Sequence, residues 1–589
     1  MTFNQLLLQP LGPALVMALG GLVLGLSHGI SFGPALRAGV VENTALQAQI
    51  RRVRLALLLR SAFAWLVVLG TIGELALLRL LPLRGDVSWD WQPLTVAGGV
   101  LEWHMDGWNW LAGLLIVLLT AAVLGLSEFR PASVVGRPAA FTHSTLLFGA
   151  AALAFVFSAN VVTLMSAWVL LDAALVMRLH PSESAQPSAR AWGLLSITGL
   201  LLLVALVTLG EKGIRARLIG DGFGGLDLAL LWLAALIRAG VYPLHFWLMG
   251  ADRTDAGDRA ALHLIGPMAG LWLLARVHHL SGPDWFRRPE WAALGALALL
   301  GTAIAAWTAE EQGLRWRWIA MNRASLVVLA AYTAALAGPA ALVWSVITFA
   351  LGSALLAVSQ VGRTRYGWRL LPWLSALAMW GLPGTPGFLA RSVLVFPTEL
   401  PIAIPLFTLI LVAEVLFVAS LWQAVTARHS PGDLRQDTAS PLARATAPPA
   451  WFTMGQLVLI AALLALPLLF LGLFPQRVAR LLSPEAAGSL ATSSWDLAHV
   501  RRSVWIGLGL SSVAGVSLGL LRDRIFSAMR GWQHLLYEVV NLEWFYRGIA
   551  TIFALLSSFL RYFASLGEGE GYVGWVILAS FVLWVLLRL

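Results

Sequence analysis

The sequence predicts an all-α polytopic membrane protein with about sixteen transmembrane helices. The chain has 589 residues, of which 59% are hydrophobic and only 12% charged, whereas an ordinary soluble domain carries about 25% charged residues. Its mean hydropathy of +0.79 excludes a disordered chain. Apolar runs of about 20 residues, each long enough to cross a bilayer, recur from one end of the chain to the other.

Sixteen spans of about 20 residues would account for more than half of the chain, as expected of a helical membrane protein. The segment 522–566 interleaves charged residues with aromatic and aliphatic ones, and it is predicted to form a lateral amphipathic helix at the headgroup layer. A seventeenth span at 549–566 is the alternative. In chain order, the predicted spans lie at residues 11–30, 55–83, 108–127, 141–158, 160–179, 191–210, 226–250, 260–280, 290–308, 318–337, 340–361, 370–395, 403–426, 452–474, 503–521 and 570–588.

The composition limits the chemistry of the chain. It contains no cysteine, which excludes disulfides, thiolate zinc, iron–sulfur clusters and thioether-attached haem. No glycine-rich phosphate-binding motif is present, so we expect no cofactor, no metal and no catalytic residue for redox or hydrolytic chemistry. The net charge of +10 is spread over the loops, so it bears on membrane topology rather than on nucleic-acid binding.

Basic and acidic loops alternate along the chain. Since basic loops stay in the cytoplasm, both termini should face the outer side of an inner (cytoplasmic) membrane. The loop after span 6 contradicts this, because it is basic where the alternation predicts an outer loop. The residues concerned are Arg37, Arg51, Arg52 and Arg54 after span 1, Asp86, Asp90, Glu102 and Asp106 after span 2, Arg130 and Arg137 after span 3, Lys212, Arg215 and Arg217 after span 6, Arg315, Arg317 and Arg323 after span 9, and Arg363, Arg365 and Arg369 after span 11.

Spans 7 and 12 are each interrupted by proline or glycine next to an arginine. Span 7 reads RAGVYPLH from Arg238 to His245, and span 12 reads GLPGTPGFLAR from Gly381 to Arg391. Paired interruptions at corresponding places predict inverted repeats of an ion-translocating fold. Broken backbone survives at membrane depth only when it is buried in protein or lines water. A simple proline kink in each span is the alternative.

These features predict an organisation around two inverted five-helix repeats, each containing one broken helix. Three N-terminal spans precede the repeats, and a proline-containing polar linker follows them. The corresponding residues are 1–140 for spans 1 to 3, 141–280 for the first repeat, 290–426 for the second repeat, 427–450 for the linker, 451–521 for spans 14 and 15, 522–566 for the lateral segment and 570–589 for the last span.

The stretch from Pro243 to Arg276 resembles a signature of the antiporter-like subunit family. It contains Pro243-Leu-His245, Leu262-His263 and Leu273-Leu-Ala-Arg276, with the family spacing from the proline to the second histidine. Family members are large membrane subunits of respiratory complex I, of Mrp-type cation/proton antiporters and of membrane-bound hydrogenases. Further similar positions are Asp106 at the start of span 3, Trp168 on span 5, Arg317 to Asn322, and Gly381 to Gly387.

The resemblance implies a proton- or cation-translocating subunit of a multi-subunit energy-converting complex, such as one of the NADH/quinone oxidoreductase type. Its partners would be other membrane subunits, the lipid bilayer, and H⁺ or Na⁺, with no nucleic acid. Any enzymatic role would therefore be that of a subunit in a translocase complex. The implied residues of the proton or ion pathway are Asp172, Arg238, His245, His263, Arg391 and Glu414.

The first repeat departs from the family pattern at three places. Val169 stands where the family has a glutamate, and Asp172 follows nearly one helical turn later. Arg238 replaces a lysine, and because arginine keeps its proton at all physiological pH values, it cannot carry protons. We therefore expect Arg238 to be a fixed charge in contact with Asp172. At the start of span 8, three charged residues replace an apolar, proline-containing segment, which predicts a remodelled or wetter helix end.

The second repeat departs further. Span 11 carries no ionisable residue, although the family usually has a lysine or histidines there, and Arg391 again replaces a lysine. Glu414 could receive a proton or could neutralise Arg391. His263 is the strongest candidate for a proton relay, because histidine titrates near neutral pH.

Three other functions stay open at this point. The chain could couple proton flow to inorganic-carbon accumulation with a carbonic-anhydrase-like partner, as some subunits of this type do. It could be a non-conducting scaffold paralogue, which the missing base on span 11 favours. An independent secondary transporter is the remaining alternative.

Overall fold

The computed structural model describes most of the helical segments of the chain. The described residues are 9–31, 43–80, 86–91, 99–127, 138–179, 186–210, 217–218, 223–248, 256–392, 403–426, 449–477 and 502–567, with eight positions between 576 and 587. The chain divides into two compact units, Met1–Met529 and Arg530–Leu589. Only residues 449 and 450 of the predicted linker 427–450 and eight positions of the predicted last span 570–588 lie within the described residues.

Fifteen helices of the first unit lie at the first fifteen predicted spans. Helices α8 and α11 each contain a π-helical turn, and α12 consists of two half-helices. Their bounds are α1 Gly12–Ser31, α2 Asn43–Leu80, α3 Gly107–Ser127, α4 Pro138–Val156, α5 Val161–Leu179, α6 Gln186–Leu209, α7 Gly225–Ala239, α8 Ala256–Ala260 with the π turn Ala261–Ile265 and Gly266–Phe286, α9 Pro289–Thr308, α10 Gln312–Ala337, α11 Ala340–Ile347 with the π turn Thr348–Gly352 and Ser353–Tyr366, α12a Leu370–Trp380, α12b Pro386–Ser392, α13 Ala403–Thr426, α14 Ala450–Leu473 and α15 Arg502–Ala528.

The chain is a helical, multi-pass membrane protein, as its composition predicts. Ten of the described helices are long and apolar enough to cross a membrane, or eleven if a bent pair in the second unit counts as one span. The predicted number of about sixteen is higher because every apolar run of the sequence was counted as one membrane-spanning helix. Four such runs form shorter apolar helices, one becomes the short helix α7, and one is span 16. The four shorter helices are Gly12–Ser27, Phe141–Val156, Leu195–Leu209 and Leu370–Trp380.

A β-hairpin in the loop after α2 was not predicted. Strand β1, Val87–Trp91, pairs antiparallel with β2, Gly99–Trp103, and Val87 lies opposite Trp103. Strand β1, VSWDW, alternates apolar and polar residues with the two-residue period of a strand, whereas β2, GVLEW, does not. Val87 and Leu101 are buried, and Trp89 is 63% exposed. Five-residue strands, one of them without alternation, are not detected by a search for membrane spans.

Helices pack in chain order in two groups. Within α4 to α8, each helix packs against the next, and the same holds for α9 to α13. The first and last helices of each group also contact each other, and α8 packs against α10 to join the groups. Two bundles of five helices with the same internal order are the arrangement expected of repeated units.

The second unit contains two amphipathic helices, α16 Arg530–Asn541 and α17 Glu543–Gly567. They are bent by 43°, and Leu542 between them has a positive φ of 58°. Trp532, Leu535 and Val539 of α16 follow helical spacing and are exposed in this unit. Helix α15 continues to Ala528, so the amphipathic segment begins at Arg530 rather than at residue 522. A lateral position and a membrane crossing both stay open for α17.

Candidate functional site

The last carbonyl groups of the first broken helix accept hydrogen bonds from residues that follow the break. Helix α7 ends at Ala239, and Gly240 adopts the left-handed conformation with φ of 63°, which costs glycine little. The amides of Gly240 and Val241 donate to the carbonyl oxygens of Ile237 and Leu236 at 3.0 and 3.2 Å. Trp247 Nε1 adds a hydrogen bond to the Ile237 oxygen at 2.6 Å. The carbonyl groups of Leu236 and Ile237 are therefore hydrogen-bonded inside the protein, although the helix ends there.

Asp172 and Arg238 form a buried ion pair, which confirms the predicted contact. Arg238 Nη1 on α7 donates to Asp172 Oδ1 on α5, and the guanidinium lies 4.5 Å from the ring centroid of Trp168. Trp168 and Asp172 are four residues apart and so share one face of α5. Val169, where the family has its glutamate, is 59% exposed and faces away from α7. The carboxylate is displaced along α5 to a position that can reach Arg238.

The two candidate histidines contact α10. His263 lies in the π-helical turn of α8 and is buried; its Nδ1 is 3.0 Å from the carbonyl oxygen of Arg259. Its ring centroid is 6.0 Å from that of Trp316. His245 lies beyond the break of α7 and approaches Trp318 with ring centroids 5.2 Å apart. Since π-helical turns are frequent at functional sites, the location of His263 suits a role in transport.

The second broken helix uses the same device as the first. Helix α12a ends at Trp380, and Gly381 has a φ of 82°. The amides of Gly381 and Leu382 both donate to the Leu377 oxygen at 3.2 Å. A Cβ atom at Gly381 would lie 2.9 Å from Cδ of Arg391, so this glycine also makes room for the arginine of α12b.

Arg391 does pair with Glu414, but a second arginine joins them. Arg391 Nη2 donates to Glu414 Oε2, and Arg323 Nη2 of α10 donates to Oε1 at 2.8 Å. Arg315, Arg317 and Arg323 were counted with the basic residues after span 9, but all three lie within α10 and are buried. The predicted span 318–337 already contained Arg323, but the sequence could not pair it with Glu414, which is 91 positions away.

A second buried ion pair was missed at the start of α8. Arg178 of α5 pairs with Asp258, and it also donates to Thr145 Oγ1 at 2.9 Å and Ser127 Oγ at 2.8 Å. Arg178 and Asp258 are 0% and 1% exposed. The expectation of a wetter helix end is therefore wrong for Asp258, because its charge is neutralised by an arginine inside the protein. Asp255, the other acidic residue of this segment, lies outside the described residues.

A third ion pair lies near the other end of α8. Arg276 Nη2 is 2.5 Å from Asp106 Oδ2 and 2.5 Å from Asn109 Oδ1. Asp258 and Arg276 are 18 positions apart, which corresponds to about 27 Å along a helix, close to the thickness of the hydrocarbon layer. Helix α8 is thus held by an ion pair towards each end, with His263 between them.

Two further polar groups within spans were not singled out from the sequence. Both carboxylate oxygens of Glu74 on α2 are buried, and no residue in the described part of the chain hydrogen-bonds to them. On α11, which has no ionisable residue before its last turns, Ser345 Oγ is likewise buried without a partner among the described residues. A hydroxyl can both donate and accept a hydrogen bond, so α11 keeps some polar character where the family has a base.

An exposed charge cluster joins the loops after α2 and α6. Arg217 pairs with Asp86 and Glu102, and His104 Nδ1 is 2.5 Å from Asp86 Oδ1. Burial raises the pKa of Asp86, but hydrogen bonds from His104 and Arg217 outweigh it and hold that pKa below its ordinary value. Arg217, which contradicted the predicted topology, thus lies beside the acidic loop and is neutralised by it.

Comparison with known proteins agrees with this arrangement. The sequence matches no protein-family model. A protein from Rhizobium meliloti (strain 1021), described as a probable K(+)/H(+) antiporter component of the A/B type, is 28% identical over 255 residues, which are 38% of this chain and 25% of that protein. A chain from the structure of the Mrp complex from Dietzia sp. DQ12-45-1b has a TM-score of 0.70 at 18% identity, covering 92% of this chain and 62% of that chain.

A chain from the membrane-bound sulfane sulfur reductase, described as an archaeal respiratory membrane complex, has a TM-score of 0.62 at 15% identity. It covers 98% of this chain and 99% of that chain. Together with the two broken helices, these findings define a multi-pass membrane protein of Mrp-like fold. At 18% and 15% identity the two solved structures share the fold of this chain, and the sequence match to the antiporter component covers 38% of the chain. The sequence match spans a quarter of its curated relative.

The buried Asp172–Arg238 pair predicts a specific pattern of stability. Removing one partner leaves an uncompensated charge, so Asp172→Ala should destabilise the protein by about 3–5 kcal/mol, whereas Asp172→Ala with Arg238→Met should recover most of that loss. Thermal unfolding of the detergent-solubilised protein measures this difference. Val169→Ala, at the exposed neighbouring position, is the control and should change stability little. Equal loss in the single and the double variant would contradict the pairing.

The Asp86 cluster predicts an acid-sensitive hairpin. Because the folded-state pKa of Asp86 is lowered, its stabilisation is complete above the ordinary aspartate value of about 3.9 and is lost as pH falls through the folded value. The Ala159 amide donates to the Glu102 oxygen of the hairpin, and the Leu218 amide, next to Arg217, donates to the Ala159 oxygen. Hydrogen exchange at both amides should rise at acid pH after correction for intrinsic rates.

Asp86→Asn should remove this pH dependence, because asparagine does not titrate in this range. Asp284→Asn is the matched control, since Asp284 is an exposed aspartate that pairs with Arg287 at 3.2 Å. An unchanged acid response in Asp86→Asn would rule out Asp86 as its source.

Proposed function

We propose that this chain is a cation/proton-translocating, antiporter-like subunit of a multi-subunit energy-converting membrane complex. The observation that carries the proposal is the buried Asp172–Arg238 pair beside the break of α7. Charges at membrane depth are costly and are retained mostly for ion pathways. The descriptions of the similar proteins, which are a K(+)/H(+) antiporter component and chains of Mrp and respiratory membrane complexes, point in the same direction.

The two groups α4 to α8 and α9 to α13 serve as inverted repeats in this proposal, with residues 141–280 and 290–426 as their limits. Their equal internal packing order and their paired glycine-terminated breaks support it. Transport would then occur where the broken helices meet the bundle interior, near the membrane midplane. The proposed location is the inner cell membrane, with both termini on its outer side.

Protons or cations would pass through the first repeat by way of Asp172, His245 and His263. Arg238 keeps its charge, so Asp172 is the member of the pair that can change protonation. A proton on Asp172 leaves Arg238 without its counter-charge, and this favours release of that proton from the carboxyl group. Asp172 can therefore accept a proton but does not retain it.

Energy for translocation must come from partner subunits. The chain has no cysteine for an iron–sulfur cluster, and within its described part no group of three or more histidine or acidic residues could hold a metal ion. A non-conducting scaffold is the second candidate, and the absence of an ionisable residue in the middle of α11 favours it.

Transport in everted membrane vesicles tests the proposal. In respiring vesicles that contain the complex, addition of K⁺ or Na⁺ should dissipate the pH gradient, as followed by a fluorescent pH probe. Asp172→Asn and His263→Ala should each lower this response by about tenfold or more, since loss of a positioned proton-transfer group typically costs at least 10²-fold in rate. His279→Ala, an exposed histidine on α8, is the matched control.

A response that survives the loss of both Asp172 and His263 would refute this route. A wild-type complex that assembles fully but shows no response would favour the scaffold. The proteins that co-purify with the tagged chain separate the remaining cases: quinone-reducing or antiporter subunits support the proposal, and a zinc-containing carbonic-anhydrase-like protein would support the role in inorganic-carbon accumulation.

A further inference from the structure

Three charged side chains meet at the second broken helix, and two of them are arginines. Glu414 of α13 accepts a hydrogen bond on each carboxylate oxygen, from Arg323 of α10 on Oε1 and from Arg391 of α12b on Oε2. Glu414 is 7% exposed and Arg323 is 1% exposed. We call these three residues the α12 triad. Two guanidinium groups and one carboxylate give the triad a net charge of +1.

Arg323 is held in place from several sides. Its Nη2 donates to Asn322 Oδ1 at 2.6 Å as well as to Glu414. Its guanidinium carbon lies 3.6 Å from the ring centroid of Phe417, one turn of α13 beyond Glu414. Asn322 in turn donates to the Leu299 oxygen of α9 at 2.8 Å. Such a guanidinium has no freedom to swing away from its carboxylate.

The triad also spans the helix break. Arg323 Nη1 lies 3.4 Å from the carbonyl oxygen of Met379, in the last turn of α12a. Arg391 belongs to α12b and its Nη1 lies 3.4 Å from Ser511 Oγ of α15. Both half-helices are therefore connected to Glu414, one through each arginine. Loss of the carboxylate charge would remove this connection between α12a and α12b.

Proton binding to Glu414 is strongly opposed. The charged groups that face its carboxylate are Arg323 and Arg391, while Asn322 and Ser511 next to them are neutral. Neither arginine gives up a proton at physiological pH. A protonated Glu414 would thus leave two buried guanidinium groups without a counter-charge, which is far more costly than leaving one.

We propose that Arg323 is a positioning residue that, with Arg391, keeps Glu414 permanently ionised, so that the α12 triad is a fixed electrostatic clamp rather than part of a proton relay. This inference rests on the proposed function and narrows it: ion translocation uses the first broken helix, and the second supplies a constant charge of +1 and a closed helix break. The middle of α11, which carries no ionisable residue, fits a second repeat that does not relay protons.

Charge-balanced variants distinguish a clamp from a relay. Glu414→Gln raises the net charge to +2 and should lower vesicle transport by about tenfold or more, because it breaks a buried pair. Glu414→Gln combined with Arg323→Gln lowers the net charge back to +1 and leaves one unpaired guanidinium group instead of two, so it should recover a measurable part of the transport that Glu414→Gln loses. An obligatory proton carrier would be lost in both variants, so equal loss in the two overturns the clamp.

The pH profile of Arg323→Gln gives a readout that simple loss of packing would not produce. With only Arg391 beside it, Glu414 becomes able to bind a proton, so transport in this variant should acquire an additional loss on the acid side. That loss should be absent from the wild type and from the double variant, which lacks the carboxyl group. An Arg323→Gln profile with the shape of the wild-type profile would count against the clamp.

Measurements of assembly and of stability test the clamp independently of transport. Each variant is purified as the full complex, and its melting temperature is measured as a function of pH. Arg323→Gln alone should show the acid-side destabilisation even if no transport can be measured, in which case the proposed function fails and the clamp stands. If the Arg323 double variant does not assemble, Glu414→Gln with Arg391→Gln has the same net charge and must satisfy the same expectations.

Discussion

An arginine buried in a membrane protein cannot lose its proton and so keeps its positive charge. This constraint determines much of how the helices are arranged. A lysine at membrane depth can lose its proton when its surroundings change, whereas a guanidinium needs a carboxylate or backbone carbonyl oxygens within hydrogen-bond distance at all times. Three buried arginines of α5, α7 and α8 each pair with a carboxylate: Arg178 with Asp258, Arg238 with Asp172, and Arg276 with Asp106. These pairs connect α5 to α8, α5 to α7, and α8 to the start of α3, so they fix which helices are neighbours.

The two breaks apply this constraint in different ways. At α7 one arginine faces one carboxylate, and the pair is neutral as a whole. At α12 two arginines share Glu414, and the charge is not balanced within the triad. A neutral pair can respond to an added proton by separating, whereas a carboxylate between two guanidinium groups resists protonation. Similar backbone geometry at the two breaks therefore supports different chemistry.

Much of the fold could be predicted from the sequence, because apolar length and helix-breaking residues are local properties. Helices α1 to α15 coincide with predicted spans, and both breaks lie at the predicted glycines and prolines. The Asp172–Arg238 contact was also predictable, since a resemblance related the two helices. Arg323–Glu414 and Arg178–Asp258 were not, because their partners lie 91 and 80 positions apart. Helical periodicity gives the face of a residue but not the helix opposite that face.

The left-handed glycines that end α7 and α12a have a consequence for the electric field inside the bundle. Each places a helix C-terminus within the protein, and a C-terminus carries a partial negative charge of about half an elementary charge. Arg238 lies in the last turn of α7, and the stem of Arg391 passes Gly381 at the end of α12a. The partial negative charge at each helix C-terminus thus offsets part of the positive charge of the nearby guanidinium group. A cation that approaches the break of α7 meets less repulsion than Arg238 alone would exert, so a fixed positive charge and the proposed cation path can share that helix.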